Sequence, residues 1–254
     1  MSDGLEVDVS SRGIATILLN RPERSNAIDQ RMLDALVRQF DQLSADDRTR
    51  IVVLRGAGKH FCSGADLVAR TNAPEPSPAQ TSIIDMLGAL DRLPKPTIAV
   101  VHGAAIGGGA AVAACCDVVL AAADAFFSVP EVRVGMPPLG VTPFVIRAIG
   151  HRSFRRYGLS GERFGAIEAL RIGLVHEVVQ AEKLDEKLAE VVDALLLGAP
   201  DAQRTLKDGM EHSVMPTVEE ILARKPSHGS PRTAEALEGI ASFKEKRKPS
   251  WYPR

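Results

Sequence analysis

The chain has 254 residues, 45% apolar and 25% charged, an ordinary globular make-up that excludes wholesale disorder and a fibrous chain. Thirty-one basic residues against 32 acidic ones leave a formal charge of -1, and aromatics are only 4%, so neither a polyanion-attracting field nor a base-stacking platform is expected. Cys62, Cys115 and Cys116 are odd in number and lack CxxC spacing, which reads as buried thiols in a reducing compartment. The opening MSDGLEVDVS has no cationic, apolar leader, and no apolar run reaches the roughly 18 residues of a membrane span, so a cytoplasmic protein is expected.

In chain order, residues 13–20 (GIATILLN) predict a β-branched strand. Asp29 is placed to cap a helix whose apolar face is Met32, Leu33, Leu36, Val37, Phe40 and Leu43. Residues 51–54 (IVVL) and 97–101 (TIAVV) read as buried strands, with a helix carrying Ile83, Ile84, Leu87 and Leu90 between them. Residues 70–80, with three prolines, read as a surface loop. The small-residue run 103–116 (GAAIGGGAAVAACC) reads as a central buried helix. This alternation predicts an α/β core. From residue 142 the pattern becomes helical, at 142–150, 152–158, 165–171, 182–197, 201–213, 217–224 and 231–246, with one strand at 174–179; Thr142-Pro143 reads as an N-cap followed by proline at the first helical position.

Two glycine-bearing turns follow apolar strands, Cys62–Asp66 and Gly107–Gly109. Amides at a helix start have no intrahelical acceptor, and two aimed at one point would stabilise an oxyanion. A dinucleotide fingerprint fails because Val112 stands where its third glycine belongs; GxxxxGK[ST] and GxSxG do not occur, and no two of the six histidines have metal-ligand spacing. Glu131, in the mostly apolar stretch 127–135 (FSVPEVRVG), is the candidate acid/base, since apolar surroundings raise a carboxyl pKa toward neutrality; the alternative is an ion pair with a base such as Arg133.

Residues 20–27 (NRPERSNA), 61–67 (FCSGADL), 103–109 (GAAIGGG) and Pro130-Glu131 together resemble the crotonase family, the enoyl-CoA hydratases and isomerases, in order and spacing. The resemblance implies a crotonase-like spiral of ββα repeats over residues 1–197, and a C-terminal helical region, 198–254, that assembles trimers or hexamers. It implies an acyl-CoA substrate, no resident cofactor or metal, and an oxyanion hole made by the N–H groups of Ala65 and Gly108. Coenzyme A would be met by Arg24, Ser25, Ala27 and the segment Ala65, Asp66, Leu67 and Val68, with Phe243 and Lys244 reaching the nucleotide, often from a neighbouring subunit. The resemblance turns the FKEKRK cluster at 243–248 from a solvated face toward such a contact.

The pattern departs at one point. Common hydratases carry a glutamate three residues after the middle glycine of GGG, where this chain has Ala111. With Glu131 as the sole carboxylate, bare chemistry favours isomerisation. Residues 130–138 (PEVRVGMPP), 142–150 (TPFVIRAIG) and 162–164 (ERF) pull the other way, being similar to the branch that hydrates methylglutaconyl-type and isohexenylglutaconyl-type CoA esters. The expectation is a hydratase acting through a thioester enolate in fatty-acid-type metabolism. The alternatives are an isomerase using Glu131, other enolate chemistry, and a non-catalytic acyl-CoA-binding relative. Arg133 could meet a substrate carboxylate or simply face solvent.

Overall fold

The computed structural model describes residues 3–67, 69, 80–211 and 234–253. Its elements in chain order are β1 (Leu5–Val9), β2 (Ile14–Leu19), α1 (Gln30–Ala45), β3 (Ile51–Gly56), α2 (Ile83–Asp91), β4 (Thr97–Val101), β5 (Ala104–Ile106), α3 (Gly108–Cys115), β6 (Val118–Ala122), β7 (Phe126–Ser128), α4 (Thr142–Ser160), β8 (Phe164–Gly165), α5 (Ala166–Arg171), β9 (Glu177–Val179), α6 (Leu184–Leu196), α7 (Pro200–Glu211) and α8 (Ala234–Glu245). Short 3-10 turns occupy Pro22–Arg24, Glu131–Val134 and Ala181–Lys183.

Apolar runs without alternation belong in strands covered on both faces, and that is where they lie. The larger sheet has the order β1-β2-β3-β4-β6-β9, with only the β1–β2 pair antiparallel. The register sets Ile17, Leu54, Ala99 and Val119 in one row across it, all buried. Helix α1 packs its Met32, Leu36 and Phe40 face inward, and Asp29 caps it by accepting from the Met32 amide at 3.0 Å. All three cysteines are free and buried.

A second layer is built from pieces too short to show a period. The sheet β5-β7-β8 pairs β5 with β7 in parallel, and Cys62 adds a bridge to Ala105. Cys62, Ala105 and Phe127 therefore form one row across three successive strand-to-strand units. Each unit leaves the large sheet, crosses this row and turns into a helix or 3-10 turn. Three residues beyond the row stand Ala65, Gly108 and Pro130, the last followed directly by Glu131. Neighbouring strands sit about 4.8 Å apart. The register alone thus delivers the two glycine turns and the acid to adjacent places.

Some sequence expectations need correction. The run 103–116 is not one helix: Ala104–Ile106 is a strand, and the helix begins at Gly108, so the strand entering the triple glycine is β5 and not β4. The two helical stretches expected at 142–150 and 152–158 are present within α4, which is interrupted at Gly150, whose φ of 73° is non-helical, and runs on to Ser160. Thr142 is the first helical residue and Val141 the cap; the Thr142 hydroxyl instead donates to the Pro138 carbonyl at 2.8 Å. The strand expected at 174–179 shrinks to Glu177–Val179. The expected helix 217–224, the loop tip 71–79 and Val68 lie outside the described residues.

The C-terminal segment returns to the body of the protein. Arg50, just before β3, donates to the carbonyls of Trp251 at 2.6 Å and Gly198 at 3.0 Å, and the Trp251 indole donates to the Leu197 carbonyl at 3.0 Å. This anchor lies at the N-terminal end of β3, whereas the two glycine turns follow the C-terminal ends of β3 and β5. No described helix is long and apolar enough to cross a membrane.

Candidate active site

Three consecutive glycines open the site, and each has a different neighbour. Gly107 has φ of 54°, and a Cβ on it would overlap Glu131 Oε1 and sit 3.2 Å from Glu131 Cδ. The acid is therefore seated on the bare face of Gly107. A Cβ on Gly109 would collide with the Cys62 carbonyl and lie 2.8 Å from the Cys62 Cβ, so that glycine serves close packing. Gly108 is different. A Cβ there would meet only ordinary contacts, Ile83 Cδ1 at 3.5 Å, Gly64 Cα at 3.8 Å and the Ala65 amide nitrogen at 4.0 Å. The fold does not require glycine at 108.

The Gly108 nitrogen also lies 3.3 Å from where a Cβ on Gly64 would stand. Gly108 opens α3, so its N–H has no intrahelical acceptor, and among the described residues neither it nor the Ala65 N–H donates a hydrogen bond. Ala65 is held from its other side: Ile28 N–H donates to the Gly64 carbonyl at 2.7 Å, and Asp66 N–H donates to the Ile28 carbonyl at 2.9 Å. These two bonds flank Ala65 on the Ile28 side, which leaves its own N–H facing the Gly108 turn. Two amides that donate to no described residue thus lie in neighbouring turns at the positive end of a helix, an arrangement suited to an anionic oxygen.

Glu131 opens the 3-10 turn after β7. Its Oε2 is fully buried and has no hydrogen-bond partner among the described residues. Burial pushes the carboxyl above the ordinary range, opposed in part by its own backbone amide. The alternative ion pair is not formed: Arg133 is exposed and donates through Nε to the Ser160 carbonyl at 2.9 Å, its stem lying over Gly161. Ala111, inside α3, is completely buried and supplies no second carboxyl.

Above the amides, Ile83 meets Gly140, whose Cβ would stand 3.0 Å from Ile83 Cγ2. The start of α2 and the segment before α4 thereby close one wall. Leu67 and Leu139 are exposed beside these turns in the chain, and Leu139 at 71% is apolar surface available to a ligand.

The loop 20–27 is a rigid support. Asn26 is completely buried at φ of 55°, next to Ser25 at 52°. Left-handed residues other than glycine cost about 1–2 kcal/mol each. Asn26 offsets that cost by donating to the carbonyls of Ala57 at 2.8 Å and His60 at 2.7 Å and accepting from the Arg21 amide at 2.9 Å. The Ser25 carbonyl in turn accepts from the Ser63 amide at 3.0 Å.

Of the residues singled out from sequence, Ala65, Gly108 and Glu131 are brought together. Arg24, Ser25, Ala27 and Asp66 surround the Ala65 turn, with Arg24 exposed and Ala27 buried. The Asp66 carboxylate is turned inward, held below its usual range by the Ala69 amide and by Arg21. Phe243 and Lys244 are exposed on α8, Phe243 at 84%, and neither joins the site within one copy. In the same cluster Arg247 is paired with Glu238 and Glu245, and Lys248 lies over the Tyr252 ring. His60 and His102 serve the turns, the first accepting from the Ala104 amide and the second meeting the Gly58 carbonyl. Sequence reasoning missed Gly107 as the seat of the acid, Ile83, and Arg21. Only the charge complementarity of Arg21 and Asp66, 45 positions apart, pointed to the last.

The strand-strand-helix units, with amide turns at adjacent places in the second layer, define a crotonase-like fold. The solved enoyl-CoA hydratase from Bacillus anthracis superimposes on it with a TM-score of 0.89, at 30% identity, covering 99% of this chain and 100% of that one. Two curated relatives are an enoyl-CoA hydratase, ACTT6, from Alternaria alternata, 35% identical and covering 79% of this chain and 67% of its own, and mevalonyl-coenzyme A hydratase sidH from Aspergillus fumigatus, 30% identical over 98% and 95%. A family profile described as enoyl-CoA hydratase/isomerase matches residues 10–254, and the chain belongs to that family.

Proposed function

We propose that this chain is a hydratase-type lyase that adds water to, or removes it from, a 2-enoyl-CoA. The observation that carries the reading is one carboxyl oxygen, Glu131 Oε2, buried without a partner among the described residues beside the turn that presents the Gly108 amide. The N–H groups of Ala65 and Gly108 hold the thioester oxygen and tighten as it becomes an enolate. Ionised Glu131 takes a proton from water as the water oxygen bonds to Cβ. The protonated acid then delivers that proton to Cα, which restores the carboxylate and balances the addition. Both curated relatives are named as hydratases, which supports this direction. A branched or glutaconyl-type acyl group fits the similarity of residues 130–138 and 142–150 to that hydratase branch.

Ala111 favours a second reading, isomerisation with Glu131 moving one proton between C2 and C4. An absorbance assay at the enoyl-thioester band separates the two. Loss of absorbance with crotonyl-CoA or methylglutaconyl-CoA is the expected result. A gain with a 3-enoyl-CoA, and no loss with either 2-enoyl ester, would establish the isomerase.

Coenzyme A is inferred to lie along Arg24, Ser25, Ala27 and the Ala65–Val68 segment. Phe243 and Lys244 would come from a neighbouring copy, because the α8 tail is anchored at the far end of β3. The exposed apolar positions Leu237, Ile240 and Phe243 on α8 support self-association. A solution mass of three or six chains by light scattering is expected; a monomer at micromolar concentration would remove the shared site.

A further inference from the structure

The Ile28–Ala65 bridge that directs the Ala65 amide is spanned by a single side chain. Ala27 precedes Ile28, Asp29 follows it, and Asp66 follows Ala65. The Arg21 guanidinium reaches all three. Its Nη1 donates to the Ala27 carbonyl at 2.6 Å and lies 3.2 Å from Asp29 Oδ2, while its Nη2 donates to Asp66 Oδ2 at 3.1 Å. The stem is packed against Gly4, where a Cβ would stand 2.8 Å from Arg21 Cδ. Arg21 is shielded, its side chain 18% exposed, and Asp66 is buried. A shielded guanidinium between carboxylates on both sides of a two-bond bridge fixes their relative position far better than the bridge alone, because each contact is directional and charge-assisted.

We propose that Arg21 is a positioning residue of this site: by clamping Asp29 and the Ala27 carbonyl to Asp66, it holds the Ala65 N–H in line with that of Gly108 on the thioester oxygen. The inference rests on the oxyanion reading given above. Lysine keeps the charge at 21 but cannot span three acceptors, so the clamp opens on one side while the fold keeps its cation.

The test uses crotonyl-CoA labelled with carbon-13 at the thioester carbonyl, mixed rapidly with Glu131→Gln protein, whose slowed turnover leaves the bound ester to be read before it reacts. Infrared difference spectra should show the carbonyl band shifted to lower frequency than in free ligand. In Arg21→Lys/Glu131→Gln protein that shift is expected to fall by half or more. With Glu131 intact, Arg21→Lys should lower kcat about 10- to 100-fold through misplacement of the donor, with KM changed no more than about twofold because binding is otherwise uniform. An undiminished band shift together with an unchanged kcat overturns the positioning role and leaves the oxyanion reading standing. No shift in Glu131→Gln protein with Arg21 intact overturns the oxyanion reading itself, and the clamp with it. If circular dichroism shows Arg21→Lys to be unfolded, Asp66→Asn, which keeps the shape and an oxygen for the Ala69 amide, is measured with the same two readouts and the same outcomes.

Discussion

Replacing Glu131 by Gln should lower kcat about 100- to 10,000-fold, the range a single positioned acid/base contributes, while the melting temperature at pH 7 rises. Both effects have one origin. The carboxyl is seated on Gly107 with Oε2 buried and without a partner among the described residues, and burial lifts its pKa above the ordinary range. The lifted pKa means that folding favours the protonated form. That contribution is fully present below the unfolded pKa, about 4.3 for glutamate, and is lost as pH rises through the folded value. Wherever the native carboxyl is ionised it is a buried charge, which the neutral amide of glutamine relieves. The gain in melting temperature should shrink as the pH is lowered past the carboxylate range. In the native enzyme the acidic limb of kcat/KM should fall at a pH above that of an ordinary glutamate, because the proton acceptor must be ionised at the start. A variant that keeps full turnover, or melts lower at pH 7 and equally in acid, would show that Glu131 is neither the acid/base nor a strained group.

Gly108→Ala should fold as well as the native chain and turn over about 100- to 1,000-fold more slowly, the loss typical of one oxyanion donor. The methyl group meets nothing closer than Ile83 Cδ1 at 3.5 Å, and no positive φ forbids it. Alanine in a first helical turn is, if anything, favoured by up to about 1 kcal/mol. What the methyl occupies is space 4.0 Å from the Ala65 nitrogen, beside the point on which the two amides converge. Unchanged melting with collapsed kcat/KM is the expected pair of results. Undiminished activity would mean that no ligand atom approaches there. Gly107→Ala would not separate these possibilities, because it displaces Glu131 directly and sets alanine at φ of 54°.

Glycine turns and a carboxyl in apolar company were legible because their chemistry is local. Gly107–Gly109 and Pro130-Glu131 each announce themselves within a few residues. Long apolar runs such as 51–54 and 97–101 were legible as buried strands for the same reason, and Asp29 as a cap. The second layer was not. Its strands have two or three residues, too few to show alternation, and Cys62 joins it by one bridge. Arg21 escaped because its partners, Asp29 and Asp66, lie 8 and 45 positions away, and an arginine between turns reads as surface until the fold closes around it.

The row Cys62, Ala105, Phe127 has a wider consequence. Each reactive feature hangs from a separate rung of one ladder, so the rungs can be rewritten one at a time. Ala111 lies one turn down the middle rung's helix, entirely enclosed, so its side chain and the main-chain amides of Gly108 and Ala65 belong to separately variable features. A scaffold so divided lets bond-making chemistry diverge while the shared handle of the substrate is recognised in the same way.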